Sequence, residues 1–498
     1  MKEITKTLVF LPALFYLAEP PDVLAQVLLE ENLTYDQLLS IVNEQKQQLD
    51  AQARLLNELS DRLGTLSEQE NAIENSEDFT ESSVPLQTQL PTPATKEPHS
   101  RLATDSIYPE QARPKIEFSG YGIMNYQEFD WDTHADRRNR SDLEYFIFEA
   151  EYQPTDRVKI EAEIEFEHGG VGVTQEFDVF EEFGEFEQEI EQGGEITLEK
   201  LQAEIFFDPR FNLKVGHIVL PMGLLNKEHR PSDYFSATRL DASSLMIPVA
   251  WHENGVGIFG EFPIGKTSKL DYEVQVVNGL DSTGFSSSEW VKSGYQRKFE
   301  YKVSENLAYV FNLDLSLNNK TQVGFSYYLG DSSDNRPKAD IDFDADVEIG
   351  SIYAKYINGP LTLRAQLMEG NLENSGLITT ANKRLSNNLG AKRSPVAENS
   401  KSFYVEAGYD ISRYLQNPNL TSFGGLQIFA RYHEVDTMEA VASSVFKNPR
   451  WDRENLSVGL IYEPFSGVLW KLEKNWRELG TSIFSNEDTI SSSISYEF

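Results

Sequence analysis

The sequence predicts an all-β chain: a 16-stranded antiparallel transmembrane β-barrel, preceded by an N-terminal α-helical coiled coil. Three observations carry this reading. Period-two segments of about ten residues recur from Lys115 onward, the length a tilted strand needs to cross a bilayer. The connections between them alternate long and short, as in barrels with tight turns at one rim and long loops at the other. The final stretch puts Ile490, Ile494, Tyr496 and Phe498 on one parity and Ser493, Ser495 and Glu497 on the other. That is a strand with one apolar and one wet face.

Composition narrows the possibilities further. At 498 residues the chain has room for several domains or for one large barrel. A formal charge of −36 argues against nucleic acid, or an anionic lipid surface, as a partner held by simple attraction. There is no cysteine, hence no disulfide framework and no thiolate metal site. No apolar run reaches the roughly 18 residues of a transmembrane helix. An aromatic content of 12% suits membrane strands whose alternate residues face water.

Residues 1–25 read as an export signal. Lys2 and Lys6 precede an apolar core from Leu8 to Ala18, and Val23-Leu24-Ala25 offers small residues for cleavage. The expected location is the outer membrane of a Gram-negative bacterium, with the next segment in the periplasm. Residues 26–66 carry a heptad seam. Leu28, Tyr35, Val42, Leu49, Leu56 and Leu63 fall seven apart, and Leu38, Leu59 and Leu66 occupy the second seam position with Gln45 and Gln52. Such a narrow stripe favours self-association, with three strands preferred, over one amphipathic helix packed on its own barrel. Residues 67–113 lose the period. Rich in acids, Ser, Thr and Pro, including Pro85, Pro91, Pro93, Pro98 and Pro109, they read as a solvated linker.

The barrel is expected over 114–498. Its strands are 115–127, 142–153, 157–167, 197–207, 211–218, 254–262, 269–277, 307–317, 320–329, 347–357, 361–369, 402–412, 425–435, 454–463, 467–476 and 489–498. Pro154-Thr155-Asp156, Asn318-Asn319 and Asn358-Gly359-Pro360 are among the short connections, all turn-forming. One connection, 413–424, is longer than a tight turn. Sixteen strands enclose an aqueous channel rather than a filled core.

The connection 219–253 is the longest and the least polar, carrying Leu224, Leu225, Tyr234, Phe235, Met246, Ile247 and Trp251. Exposed to water it would be poorly soluble. Folded into the barrel it would line a constriction with Lys227, His229, Arg230, Asp233, Arg239 and Asp241. Parity assigns the wall. Glu149, Glu151, Glu161, Glu163, Glu165, Glu167, Glu204, Glu261, Asp271, Glu273, Asp314, Glu406, Asp410, Glu463, Glu473 and Glu497 face inward, against Lys159, Lys200, Lys214, Lys355, Arg364, Arg431 and Lys471. Acids outnumber bases there, and acidic rings favour cations; the same charges would also serve simply to hydrate the lumen. The loop 168–196 is dense in carboxylates without a calcium-loop spacing, and reads as a solvated acidic loop.

The stretch Gly216-His217, the run Pro248-Val249-Ala250-Trp251-His252-Glu253-Asn254-Gly255-Val256-Gly257 and the hairpin Asn455 to Pro464 into Trp470-Lys471-Leu472-Glu473 resemble the phosphate-selective porin O and P family. The resemblance covers roughly 114–498. It implies a homotrimeric diffusion channel with an inward-folded third loop. It also implies assembly by the barrel-insertion machinery, which reads the last strand at Tyr496 and Phe498. Family members that take up phosphate use an arginine ladder; no repeated inward Arg series occurs here, so phosphate selectivity does not follow.

The expected function is a water-filled porin for passive diffusion of ions and small hydrophilic solutes, weakly cation-preferring. Two other readings stand beside it. One is an anion (phosphate)-selective porin. The other is a tether from outer membrane to cell wall, through peptidoglycan binding by the coil. No cofactor and no enzymatic activity are expected. The seven histidines fall in neither a Gly-x-Ser-x-Gly nor a His-Glu-x-x-His context, and inward His433 reads as a wall residue.

Overall fold

The computed structural model describes residues 115–498, apart from 171–173, 178–187, 192–193, 195, 249, 296–301, 386–391 and 415–423. The expected export signal, coiled coil and linker lie outside the described residues.

Sixteen antiparallel strands close into one barrel. They are β1 (Lys115–Trp131), β2 (Arg140–Thr155), β3 (Val158–Glu167), β6 (Ile196–Asp208), β7 (Phe211–Val219), β8 (His252–Ile264), β9 (Ser268–Asn278), β10 (Leu307–Leu317), β11 (Thr321–Asp331), β12 (Asp346–Asn358), β13 (Leu361–Leu372), β14 (Asn399–Asp410), β15 (Gly425–Ala440), β16 (Asp452–Phe465), β17 (Val468–Leu479) and β18 (Asn486–Glu497). Each matches a strand expected from the alternation, with its ends displaced by a few residues. The connection 168–196 needs correction. It contains a separate two-stranded ribbon, β4 (Thr174–Phe177) with β5 (Gln188–Glu191), whose strands are too short for a ten-residue template.

Tight turns collect at one rim. Between β10 and β11, Asn318 and Asn319 both take positive φ, 51° and 53°, a conformation that tight hairpin turns use and Asn tolerates. Long loops collect at the other rim. The seam joins β18 to β1, in register from Tyr121 opposite Glu497 to Trp131 opposite Glu487. Its last bonds run from Gly120 N–H to the Phe498 carbonyl at 3.1 Å and from Phe498 N–H to the Gly120 carbonyl at 3.0 Å. A Cβ on Gly120 would stand 2.7 Å from the Ile147 carbonyl oxygen and 2.8 Å from the Phe498 ring. Only a hydrogen fits there.

The faces alternate as hydrocarbon outside and water inside require. On β18, Ile490, Ile494 and Tyr496 are 41%, 40% and 53% exposed while Ser491, Ser493 and Ser495 are buried. Exposed aromatics such as Phe118, Phe207, Phe211, Phe465 and Phe498 gather at the tight-turn rim, the place of an interfacial girdle.

The lumen is not uniformly open. Beside β9 to β13, inward Val310, Tyr328, Ile349 and Met368 join Trp251, Trp290, Ile378 and Val396 from the long loops in one buried apolar cluster. The Trp251 and Tyr328 rings lie 4.8 Å apart, and Trp290 Nε1 donates to the Ala397 carbonyl at 3.2 Å. This dry core seals one side of the long-loop half. At its edge Arg336 ties the loops together, donating to Asp340, Ser282 and Asn382.

Asp281, in the same loop cluster, accepts from Thr283 N–H at 2.8 Å and Thr283 Oγ1 at 2.6 Å. Burial nevertheless raises its carboxyl to about 6 from an ordinary 3.8. The folded state therefore keeps a proton between about pH 4 and 6 that the unfolded chain releases. The stability from this group is full below the unfolded value and is lost as pH rises through 6, a span worth roughly 3 kcal/mol. Asp281→Asn keeps the cap without the charge. Its thermal stability relative to wild type should rise as pH goes from 4 to 7. A second expectation concerns the seam: Gly120→Val should destabilise the barrel by about 2 kcal/mol. Gly350→Ala, whose Cβ has only the Tyr327 ring at 3.8 Å, should be tolerated. Heat-dependent gel mobility of the folded barrel reads both.

Candidate functional site

Residues 220–251 connect β7 to β8 and lie against inward side chains all around the barrel. The sequence that makes this possible is the apolar content noted above, for Leu220, Met222, Leu224, Tyr234, Phe235 and Leu240 are all buried. The base of the loop is clamped. Leu220 N–H donates to the Trp251 carbonyl at 2.9 Å, and Trp251 N–H donates to Asn226 Oδ1 at 2.8 Å. Two backbone amides are then held by wall side chains, Gly223 by Ser326 Oγ at 2.9 Å and Leu224 by Gln366 Oε1 at 2.8 Å.

From there the charged residues reach the wall one by one. Lys227 donates to Asn312 and Asp314 of β10. His229 stands 3.7 Å from Glu163 of β3. Arg230, half exposed, pairs with Glu149 of β2. Asp233 folds back to accept the Arg230 N–H at 3.2 Å, so it serves the loop's own turn. Arg239 lies 3.8 Å from Glu165 and 4.3 Å over the Tyr145 ring. Asp241 pairs with Arg477 of β17.

The middle of the loop is fastened by one side chain. Lys471 of β17, 1% exposed, donates to the carbonyls of Pro231, Tyr234 and Ser236 at 2.5, 2.7 and 3.1 Å. Its ammonium also lies 4.1 Å over the Tyr234 ring. Three carbonyls satisfy its three donors, so a buried cation is held without a carboxylate at ion-pair distance among the described residues. Nearby, Glu497 accepts from Ser232 N–H at 2.9 Å and Ser232 Oγ at 3.1 Å, Glu473 accepts from Ala237 N–H at 2.9 Å, and Phe235 stacks on Phe429 at 5.7 Å.

The wall acids named from parity all point inward, but they are paired. Glu161 and Glu204 share Lys159, each at 2.9 Å. Glu163, fully buried, takes Lys200 at 2.9 Å as well as His229. Arg364 binds Glu406 at 2.9 Å, and Arg431 binds Glu473 at 2.5 Å with Glu406 at 4.0 Å. Carboxylates on β3 are therefore counter-ions of the loop and of neighbouring strands rather than a bare acidic ring.

Two cavities flank the loop. One of about 290 Å³ on the tight-turn side is lined by Ser232, Tyr234 and Phe235 of the loop and by Asp410, Glu463, Lys471 and Glu497 of the wall. One of about 580 Å³ on the long-loop side is lined by residues 238–241, 244 and 245 of the loop. Its wall mixes charge. Asp142, Glu144, Glu167 and Glu199 of β2, β3 and β6 stand with Arg140 of β2, Arg137 and Arg239, while Arg431, His433 and Arg477 of β15 and β17 stand with Glu473 of β17 and Asp241. Neutral Asn125, Gln127, Thr489 and Ser491 of β1 and β18 lie between.

Several of these residues escaped sequence reasoning. Glu144 sits at a register shift between β1 and β2, and Glu199 at one between β3 and β6, where a bulge breaks the parity rule. Arg477 and Arg453 lie just beyond the expected ends of β17 and β16.

No family model matches the chain. An uncharacterized protein of Aquifex aeolicus (strain VF5) is 24% identical over 400 residues, covering 78% of this chain and 81% of its own. Among solved structures, Salmonella typhi OmpF in complex with daunomycin is 12% identical with a TM-score of 0.48, covering 77% of this chain and 97% of that one. The outer membrane channel DcaP of Acinetobacter baumannii is 10% identical with a TM-score of 0.45, over 78% and 99%. The anion-selective porin from Comamonas acidovorans is 7% identical with a TM-score of 0.44, over 78% and 100%. These are likenesses of shape at low identity, and no solute or selectivity passes from them to this chain.

Replacing Lys471 by Met would leave three buried carbonyls without their donor, each worth about 1 kcal/mol or more. The barrel should lose about 3 kcal/mol in urea unfolding, and the loop 230–239 should become cleavable by added protease while the strands stay protected.

Proposed function

We propose that this chain is an outer-membrane porin, a water-filled channel for passive diffusion of ions and small hydrophilic solutes. The observation that carries the reading is a closed barrel, apolar outside, whose polar lumen is crossed by one loop with a cavity on either side. In this reading Lys227, His229, Arg230, Asp233, Arg239 and Asp241 make the constriction, and the paired wall charges keep it hydrated and rigid. The long-loop rim faces outward and the tight turns face the periplasm. The functional unit is a homotrimer in outer-membrane lipid, inserted by machinery that reads Tyr496 and Phe498.

A weak cation preference is the selectivity supported by the tight-turn cavity, where, among the described residues, Asp410, Glu463 and Glu497 meet only Lys471 as a basic group, itself capped by carbonyls. The opposite reading, anion preference, draws on Arg431, His433 and Arg477 in the other cavity. A tethering role for residues 26–113 through peptidoglycan would be additional to the pore; a deletion that preserves conductance but weakens the envelope would assign it.

Reversal potential across a salt gradient in planar bilayers tests the selectivity, and a cation-selective sign is expected. A clear anion-selective sign would replace the first reading by the second. Arg230→Ala combined with Arg239→Ala should raise single-channel conductance and push the reversal potential further toward cations, since two positive groups leave the passage. An unchanged conductance would remove the loop from the conduction path.

A further inference from the structure

The tight-turn cavity of about 290 Å³ under the crossing loop stands at the small end of ligand sites, which begin at about 300 Å³. Its carboxylates come from alternate strands, Asp410 from β14, Glu463 from β16 and Glu497 from β18. Neighbouring acids are therefore two strand spacings apart, about 10 Å along the wall. A metal ion does not gather groups so placed, because its oxygen ligands stand within about 2.6 Å of it. Among the described residues, no group of three acids or histidines could hold one.

Among the described residues that line this cavity, Lys471 is the one base, and its donors go to carbonyls of the loop. Asp410 accepts from the Ser412 N–H at 2.8 Å, and Glu497 accepts from Ser232. Such neutral donors orient a carboxylate without cancelling its charge. Three carboxylates against one ammonium leave the cavity negative. Between the acids the wall is apolar. Ile461 of β16 and Leu469 of β17 line the cavity and belong to one apolar group with Phe235 and Phe429. A hydrated inorganic ion gains nothing from that surface, whereas a methylene chain buries apolar area against it. The matching ligand is a linear molecule with positive groups several ångströms apart and hydrocarbon between them.

We propose that this cavity binds a linear aliphatic polyamine, with its ammonium groups toward Asp410, Glu463 and Glu497 and its methylenes across Ile461 and Leu469. The binding depends on the cavity alone. Its consequence rests on the channel reading: an amine held under the loop narrows the passage and reduces the current.

Calorimetric titration of the folded full chain in detergent micelles, at fixed ionic strength, tests it with spermidine, butylamine and magnesium ion. Spermidine should bind about tenfold tighter than either of the others, since butylamine has a single charge and magnesium has no chain. Glu463→Gln should weaken spermidine binding about tenfold. Asp208→Asn removes an acid at the end of β6, on the same rim but outside the cavity, and should leave the affinity unchanged. Heat-dependent gel mobility shows that both variants fold. Equal losses in the two variants would mean diffuse attraction by the rim and overturn the proposal. Butylamine or magnesium binding as tightly as spermidine, or no saturable heat, would overturn it as well. Planar bilayers read the consequence separately, and spermidine should lower the single-channel current. Conduction without saturable spermidine binding sinks the site and leaves the channel standing; binding without conduction sinks the channel and leaves the site.

Discussion

Everything in this structure depends on the bonds between the first and last strands. A backbone amide in hydrocarbon must find its partner within the protein, because no water is there to replace it. An open sheet of these strands would leave β1 and β18 with a row of bare donors and acceptors. Pairing them from Gly120–Phe498 up to Trp131–Glu487 removes both edges at once. Closure then decides the rest. Every inward residue shares one enclosed space, and every outward residue meets lipid, so the alternation Ser-Ile-Ser-Tyr on β18 has a physical meaning it would lack in a flat sheet.

The enclosed space creates the second problem, which is how to put many charges at close quarters. Isolated ionic groups in a confined lumen lose hydration, and breaking a buried pair costs far more than a surface one contributes. Here the wall and the loop resolve this jointly. The loop brings Lys227, His229, Arg230 and Arg239 to Asp314, Glu163, Glu149 and Glu165, while its acids Glu228 and Asp241 meet Lys355 and Arg477. Loop and wall charges are therefore each other's solvation. Lys471 does the same with carbonyl dipoles, which explains how a buried lysine tolerates its position and why the loop cannot drift from β17.

The strands were legible because alternation over ten residues is a strong, local signal, and turn sequences such as Asn318-Asn319 punctuate it. Loop 219–253 was legible as a buried segment from its apolar side chains alone. Its partners were not, because which acid meets which cation depends on shear and on how the loop crosses, neither of which is local. Parity failed at bulges, hiding Glu144 and Glu199, and strand bounds set too narrowly hid Arg453 and Arg477. The apolar cluster around Trp251, Trp290 and Tyr328 was invisible for a different reason. Its members come from loops far apart in sequence, and an inward tyrosine or valine reads as an exception to a polar wall until its neighbours are known.

In the proposed channel, that apolar cluster determines where a solute can travel. By filling the lumen beside β9 to β13, it leaves the long-loop vestibule to β1, β2, β3, β6, β15, β17 and β18, and these strands line it with acids and bases interspersed. A sixteen-stranded barrel with an empty mouth would let a solute pass many ångströms from any charge, screened by intervening water. With half of the mouth dry, each passing molecule is kept near both walls at once, and its own charge distribution must accommodate theirs. Packing on one side of the barrel thus sets how strongly electrostatics act on the other. Selectivity in such a channel is a property of the apolar core as much as of the arginines and glutamates that line the passage.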